Sequence, residues 1–217
     1  MKLINNPPSP YGRKVVIALI EKGLPFEIVE DMPWGESTIA SQYNPLEQVP
    51  ILLADHGEAI YESDFILEWL ERRYPRPSLL PPDDDGILDM KRLQMLAGAV
   101  LESWFRLFAE TQRATPAAAW MERQTRKVAR GLAEIARLVG GREYAVSGRF
   151  TLADIAVGTL LGSLDFLREQ GFDGGVEGRW REQQGSLVPY AEGLERRESF
   201  RRSRQRAVPI DVQAIFT

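Results

Sequence analysis

The chain has 217 residues, 44% of them hydrophobic and 27% charged, and a net charge of −4, which is typical of a globular protein and argues against an electrostatic nucleic-acid binder. It has no cysteine and one histidine, His56, which excludes disulfides, cysteine nucleophiles and histidine-rich metal sites; we expect no metal. No apolar run reaches the roughly 18 residues of a membrane span, and the N-terminus lacks the apolar core of a secretory signal, so we expect a cytoplasmic protein without membrane contact.

The first 78 residues alternate strand and helix signals. A strand in MKLIN, a loop in PPSP, a helix over Pro10–Lys22 that ends at Gly23, and a strand in PFEIVE form a β-α-β unit with parallel strands. Next come a short helix in ESTIASQY and a hairpin of two strands, Val49–Leu53 and Glu58–Tyr61. The last predicted element of this part is a helix over Asp64–Tyr74, with Phe65, Ile66, Trp69 and Leu70 on one face. His56 falls in the hairpin turn, so we do not expect it to act as a catalytic base.

The remainder of the chain predicts helices only, after a proline- and aspartate-rich linker at 79–86. The predicted helices are Ile87–Arg113, Pro116–Val139 with Thr115 as its cap, Thr151–Gln170, and the shorter pieces Leu187–Arg197 and Ser199–Arg206. Thr151–Gln170 is apolar nearly all round, which indicates the centre of a bundle. The arginine-rich tail ERRESFRRSRQR could bind an anionic partner, but we expect it to be a solvated helix face because glutamates are interspersed and the chain is net negative. The element order predicts an α/β domain over 1–78 and an all-helical domain over 87–217.

Three stretches of the first domain carry candidate site residues, and each also has a plain structural explanation. Ser9 precedes the helix that begins at Pro10, where its hydroxyl and the first amides face the same anion-attracting end, or where it is only a cap. Pro50 begins a strand, either as an ordinary trans proline or after a cis bond that presents the backbone of Val49 to a ligand. Glu62 and Ser63 precede a helix and suit a ligand with an ammonium and a carboxylate, or form a simple cap beside a solvated glutamate.

The chain resembles the cytosolic glutathione S-transferase family over nearly its whole length. The resemblance rests on the order and context of four motifs: SPYGRKV, NPLEQVPIL, YESDFILEWL and FTLADIAVGTLL. The resemblance implies a thioredoxin-like N-terminal domain (βαβαββα) followed by an all-helical C-terminal domain. It also implies glutathione as co-substrate, a detoxifying transferase activity and a homodimer. The similarity is to bacterial members with serine or cysteine in the first loop. Because this chain has no cysteine, thiol transfer through a protein cysteine is unavailable to it.

The resemblance implies a role for each motif. Val49, before a cis Pro50, would pair by its backbone with the cysteinyl part of glutathione, and Gln48 would lie near the glycyl end. Glu62 and Ser63 would hold the γ-glutamyl ammonium and carboxylate. Ser9 would donate a hydrogen bond to the glutathione sulfur and lower the pKa of its thiol.

Other positions leave alternatives open. Tyr11 is a competing hydroxyl for the sulfur, although we favour Ser9. A pocket for a small hydrophobic electrophile is expected between the domains, with Tyr11, Trp104 and Phe108 as candidate lining residues, although ordinary core packing explains the last two equally well. Asp154 and Thr151 fit a structural capping box. A non-catalytic binding protein, an isomerase, a reductase and a dehalogenase remain alternatives to the transferase.

Overall fold

A computed structural model describes residues 1–35, 37–172 and 179–209 of the protein. The described residues form two compact units. Unit 1 contains Met1–Leu79 together with Glu198–Val208, and unit 2 contains Leu80–Arg197. Residues 198–208, which we expected in the helical domain, therefore pack with the first unit.

Unit 1 is built on a four-stranded sheet of β1 (Lys2–Asn5), β2 (Glu27–Glu30), β3 (Ile51–Leu53) and β4 (Ala59–Tyr61) in the order β2-β1-β3-β4. β2 is parallel to β1, as the β-α-β prediction requires, whereas β3 is antiparallel to both β1 and β4. Within Met1–Leu79, two α-helices accompany the sheet, α1 (Pro10–Glu21) and α2 (Ser63–Arg73). This arrangement confirms the predicted thioredoxin-like unit.

The short second helix and the buried face of α2 differ from the prediction. The helix expected in ESTIASQY is reduced to a single 3₁₀ turn, Ala40–Gln42, and Glu36 lies outside the described residues. In α2 the buried face is formed by Ile66, Leu67 and Leu70, whereas Phe65 is 59% exposed. The adjacent apolar residues Phe65, Ile66 and Leu67 allow more than one helical stripe, and the stripe that includes Leu67 is the one that is buried.

Unit 2 contains five α-helices among its described residues: α3 (Asp84–Thr111), α4 (Ala118–Val139), α5 (Leu152–Glu169), α6 (Trp180–Gln183) and α7 (Val188–Glu195). The prediction that α5 is central is confirmed, because every residue from Thr151 to Leu161 is buried. The acidic run assigned to the linker instead begins α3, where Asp83 accepts a hydrogen bond from the N–H of Gly86 at 2.8 Å.

The predicted start of α4 is wrong. The helix begins at Ala118 rather than Pro116, and Thr115 does not cap it. The N–H of Ala117, the residue at the cap position, instead donates to the Glu110 carboxylate at 2.8 Å. A side chain seven residues earlier therefore satisfies this helix end.

The last helix in the described part of the chain is α8 (Glu198–Arg202), which contacts α1 within unit 1. The helix is shorter than the predicted Ser199–Arg206, and residues 204–209 have no regular secondary structure. Its arginines Arg201 and Arg202 are exposed, in agreement with a solvated face, whereas Phe200 is fully buried. Within the described part of the chain, no helix has both the length and the apolarity to cross a bilayer.

Candidate functional site

Ser9 lies at the cap position of α1, as predicted. Its backbone is extended (φ −71°, ψ 118°), and its Oγ accepts a hydrogen bond from the N–H of Gly12 at 3.2 Å. Pro10 takes the first helical position, where no backbone donor is needed. Because Ser9 Oγ accepts this bond through a lone pair, its hydroxyl hydrogen can still donate to another group. The cap and a role in binding a sulfur are therefore compatible.

Gly12 allows a close approach behind Ser9 that the sequence did not reveal. A β-carbon at this position would lie 1.6 Å from Oδ1 and 2.3 Å from Cγ of Asn5, and Asn5 is itself buried. Only glycine lets the end of β1 pack this tightly against the first turn of α1. The glycine within SPYGRK was the available sequence signal for this packing.

The Val49–Pro50 peptide is cis, as the resemblance implied. Pro50 is buried, Val49 is half-buried, and the Gln48 side chain is exposed. The preceding loop is held by Asn44, whose side-chain amide donates to the carbonyl of Gln48 at 2.9 Å. The residues predicted to meet the peptide backbone of a ligand thus follow an anchored turn and precede β3.

Glu62 and Ser63 occupy different positions from those expected. Ser63 is the first residue of α2 and not its cap; Glu62 takes the cap position with φ +68° and makes no side-chain cap hydrogen bond. The Glu62 carbonyl accepts the N–H of Ile66 at 2.8 Å. The helix therefore begins with a buried hydroxyl at Ser63 and without a side-chain cap over its first amides, an arrangement that leaves donors for an anion.

Strand register brings the three motifs to one edge of the sheet. Ile51 in β3 pairs with Ile4 of β1 on one side and with Tyr61 of β4 on the other. Asn5, which leads into the Ser9 loop, follows Ile4, and Glu62 follows Tyr61. Pro50 of the cis peptide directly precedes Ile51. The three motifs, separated by up to 54 residues in sequence, consequently leave the sheet at the same end.

Two lysine–carboxylate pairs orient α1 and α2 so that their N-termini lie together. Near the starts of the helices, Lys14 Nζ lies 3.0 Å from Asp64 Oδ1; near their ends, Lys22 Nζ lies 2.6 Å from Glu71 Oε1. Both lysine side chains are buried. The helices therefore run parallel, and both N-terminal dipoles face the edge where the motifs meet.

Sequence reasoning missed both lysine pairs. Lys14 in α1 and Lys22 at the C-cap of α1 lie four residues on either side of Ala18, and both are buried. A lysine on an apolar stripe indicates a buried partner, because an unpaired buried ammonium is unfavourable. The sequence does not, however, identify which carboxylate supplies that partner.

The predicted second-substrate residues fall in both units. In unit 2, Trp104 is fully buried and its ring lies 4.9 Å from that of Phe172, which Phe108 also contacts at 5.1 Å. In unit 1, Tyr11 is half-buried, and Lys14 Nζ lies 5.7 Å from its ring centre. Trp104 is a core side chain of unit 2, and the lining role of each residue stays a prediction.

Asp154 forms the predicted capping box and a wider buried network. Its carboxylate accepts hydrogen bonds from the N–H of Ala145 and of Thr151, both at 2.7 Å, and from the hydroxyls of Thr151 and Tyr190. Burial raises the pKa of Asp154, and these four donors oppose the rise. Burial, reinforced by the adjacent carboxylate, raises the pKa of Tyr190 well above its usual value. All four hydrogen bonds join Asp154 to neighbouring segments of unit 2, which agrees with a structural role for its carboxylate.

His56 is exposed in the turn between β3 and β4, as expected. In the described part of the chain, no three histidine, cysteine, aspartate or glutamate side chains come together in a way that could hold a metal ion. The polar groups of the three motifs at this edge of unit 1 include hydroxyls, a carboxylate and backbone amides.

Comparison with known proteins gives a consistent family. The model of the glutathione S-transferase N-terminal domain matches residues 8–73, and that of the C-terminal domain matches residues 118–190. The GST-like protein YibF of Escherichia coli is 32% identical over 94% of this chain and 98% of its own. At lower coverage, a maleylacetoacetate isomerase of Pseudomonas aeruginosa is 30% identical over 71% of this chain and 77% of its own.

Solved structures agree over nearly the full length. A glutathione S-transferase from Methylobacterium radiotolerans, in complex with glutathione sulfonate, is 46% identical with a TM-score of 0.88, and the match covers 96% of each chain. One from Methylobacillus flagellatus, with glutathione bound, is 32% identical with a TM-score of 0.84 over 93% of this chain and 98% of that one.

Proposed function

Since the chain belongs to the glutathione S-transferase family, we propose that it binds glutathione through unit 1 and directs its thiolate at a small hydrophobic electrophile. The observation that carries the proposal is the strand register, which brings together at one edge of the sheet the strand ends next to the Ser9 loop, the Val49–Pro50 peptide and the Glu62–Ser63 pair. Two of the similar solved structures contain glutathione or its sulfonate.

Each group has a part that its chemistry suits. The Glu62 carboxylate pairs with the γ-glutamyl ammonium, while the Ser63 hydroxyl and the first amides of α2 bind the adjacent carboxylate. The backbone of Val49 pairs with the cysteinyl residue, and Gln48 lies toward the glycyl end. This places the sulfur near Ser9, at the N-terminus of α1.

Ser9 acts on the sulfur without attacking the substrate. Its hydroxyl donates to the thiolate, and the dipole of α1 adds to the stabilisation, so the thiol pKa falls and more thiolate exists at neutral pH. The thiolate then attacks a carbon of the electrophile and forms a carbon–sulfur bond, as a leaving group departs or as the electron pair of a conjugated double bond is displaced; proximity to the bound sulfur speeds this step.

The glutathione half of the proposal is tested by calorimetry on Glu62→Gln. We expect the dissociation constant for glutathione to rise roughly tenfold, because a charge-assisted hydrogen bond is lost. Glu68→Gln, which changes an exposed carboxylate further along α2, is the matched control and should bind as the wild type does. Equal affinities of the two variants, or no binding by the wild type at millimolar glutathione, contradict the proposal.

A glutathione-dependent isomerase is the second candidate, favoured by the similarity to a maleylacetoacetate isomerase. In that reaction the thiolate adds to a conjugated double bond and leaves again after rotation, so glutathione is not consumed. Turnover of a cis-enedione without loss of free thiol would select this candidate. Thiol loss on an electrophile panel would select the transferase, and glutathione binding without turnover in either assay would indicate a binding protein.

The homodimer and the cytoplasmic location are further parts of the proposal. We propose the homodimer because the family resemblance implies one, and light scattering of the purified protein tests it. Fractionation of cells that express the native chain tests the second.

A further inference from the structure

The segment that follows α8 contacts the loop that carries Ser9. We define residues 203–206 as the strap. Gln205 Nε2 donates to the carbonyl of Pro8 at 2.6 Å, and the N–H of Arg206 donates to the carbonyl of Pro7 at 3.3 Å. The Arg206 guanidinium also pairs with Glu30, at the end of β2. The strap thus bonds to the two residues directly before Ser9.

The composition of the loop explains why it needs an external support. Three of residues 7–10 are proline, so Ser9 supplies the only backbone N–H in this stretch. That N–H donates to the carbonyl of Asn6 at 2.9 Å. The carbonyls of Pro7 and Pro8 are acceptors that the loop cannot satisfy from its own donors, and both bond to the strap.

The start of the strap is bonded to α1, the helix that Ser9 caps. Arg13 in α1 is 4% exposed, and its guanidinium donates to the carbonyl of Phe200 at 3.3 Å and to Ser203 Oγ at 3.5 Å. The same guanidinium lies 5.3 Å from the Phe200 ring centre. A cavity of about 80 Å³ has Ser9 and Ser203 among its lining residues. Helix, strap and loop therefore form one closed set of contacts.

From these contacts we propose that the strap positions the Ser9 hydroxyl, with Gln205 as the positioning residue. Gln205 holds the carbonyl of Pro8, which precedes Ser9, and so restricts the rotation that would turn the hydroxyl away from the glutathione sulfur. The catalytic part of this inference rests on the proposed function, whereas the anchoring part does not.

The anchoring part is tested on the glutathione-free protein by hydrogen exchange of the Ser9 amide, measured by NMR. Gln205→Ala removes the donor, and Gln205→Glu removes it at nearly constant shape. In both variants we expect the Ser9 amide to exchange roughly three- to tenfold faster, as loss of one hydrogen bond allows. The control Arg201→Ala, which removes an exposed side chain of α8, should leave this rate unchanged. An unchanged rate in both Gln205 variants overturns the inference.

The catalytic part is tested by the pKa of the bound glutathione thiol, read from the ultraviolet absorbance of the thiolate. Gln205→Ala should raise this pKa in the wild-type background and leave it unchanged in the Ser9→Ala background, because the two residues act through one hydroxyl. Equal shifts in both backgrounds overturn a role through Ser9.

The outcomes distinguish this inference from the proposed function. If Ser9→Ala raises the thiol pKa and Gln205→Ala does not, the positioning role is overturned and the proposed function stands. If Ser9→Ala has no effect, the serine assignment of the proposed function fails, and the catalytic part of the inference fails with it. Faster Ser9 amide exchange in the Gln205 variants still supports the anchoring part in that case.

Discussion

Lys22→Met removes the ammonium of a buried ion pair that joins the ends of α1 and α2. Lys22 Nζ lies 2.6 Å from Glu71 Oε1 and donates to the carbonyls of Tyr74 at 2.8 Å and Pro77 at 3.0 Å. The two side chains are 0% and 3% exposed. All three ammonium hydrogens therefore have partners, and water is excluded from the pair.

The substitution leaves the Glu71 carboxylate buried without a counter-charge. Its remaining donors are the N–H of Leu79 at 3.2 Å and the hydroxyl of Ser78 at 3.4 Å, and both are neutral. Breaking a buried pair in this way costs about 3–5 kcal/mol. For a chain of this size each kcal/mol lowers Tm by about 2–4 °C, so we expect a decrease of about 6–20 °C.

Thermal unfolding followed by circular dichroism measures the effect. The matched control is Lys2→Met, which breaks an exposed pair with Glu27 (3.6 Å) and should change stability by less than about 1 kcal/mol. The double variant Lys22→Met/Glu71→Leu should be more stable than Lys22→Met alone, because no uncompensated charge remains. If Lys22→Met and Lys2→Met unfold at the same temperature, the reasoning about burial is refuted.

Three further predictions concern the Asp154 network, the packing at Gly12 and the start of α2. Asp154→Asn should lower the free energy of unfolding by about 1–3 kcal/mol in urea titrations. Burial raises the pKa of Asp154, so the folded state binds the carboxyl proton more tightly than the unfolded state does. The difference in unfolding free energy between the wild type and Asp154→Asn should therefore shrink as pH rises from below 3.8 to the folded pKa. An increase of that difference over the same pH range would contradict the raised pKa. Gly12→Ala should lower the free energy of unfolding by about 1–3 kcal/mol, because the new methyl group clashes with Asn5. Gly98→Ala in α3 has open space around it and should raise the free energy of unfolding by about 0.5–1 kcal/mol. Changes in the same direction for both variants in urea titrations would contradict the tight packing at Gly12. Ser63→Ala should weaken glutathione binding by roughly three- to tenfold in calorimetry, and unchanged affinity would remove Ser63 from the site.

The parts of the fold that depend on short-range signals could be predicted from the sequence. Ser9 and Thr151 cap their helices through groups only three residues away, so the pattern of residue types carries the information. The β-α-β unit and the helical second half follow from hydrophobic periodicity. The order of motifs, recognised as a family resemblance, then indicated the cis bond at Val49–Pro50.

The parts that failed or were missed depend on contacts between distant residues. Thr115 does not cap α4 because the Glu110 carboxylate binds the N–H of Ala117 instead. Ser63 resembles a cap in sequence, but the positive φ of Glu62 moves the helix start by one residue. The bond from Gln205 to Pro8 spans 197 residues, and no local pattern indicates it.

The most direct test of the proposed function is the thiol pKa of glutathione bound to the wild type, Ser9→Ala and Tyr11→Phe. A hydrogen bond to a charged group contributes about 1.5–3 kcal/mol, which corresponds to roughly one to two pH units. We predict that Ser9→Ala raises the thiol pKa by about that amount and that Tyr11→Phe leaves it unchanged. The reverse pattern, or equal pKa values in all three proteins, would contradict the assignment of Ser9 as the residue that stabilises the thiolate.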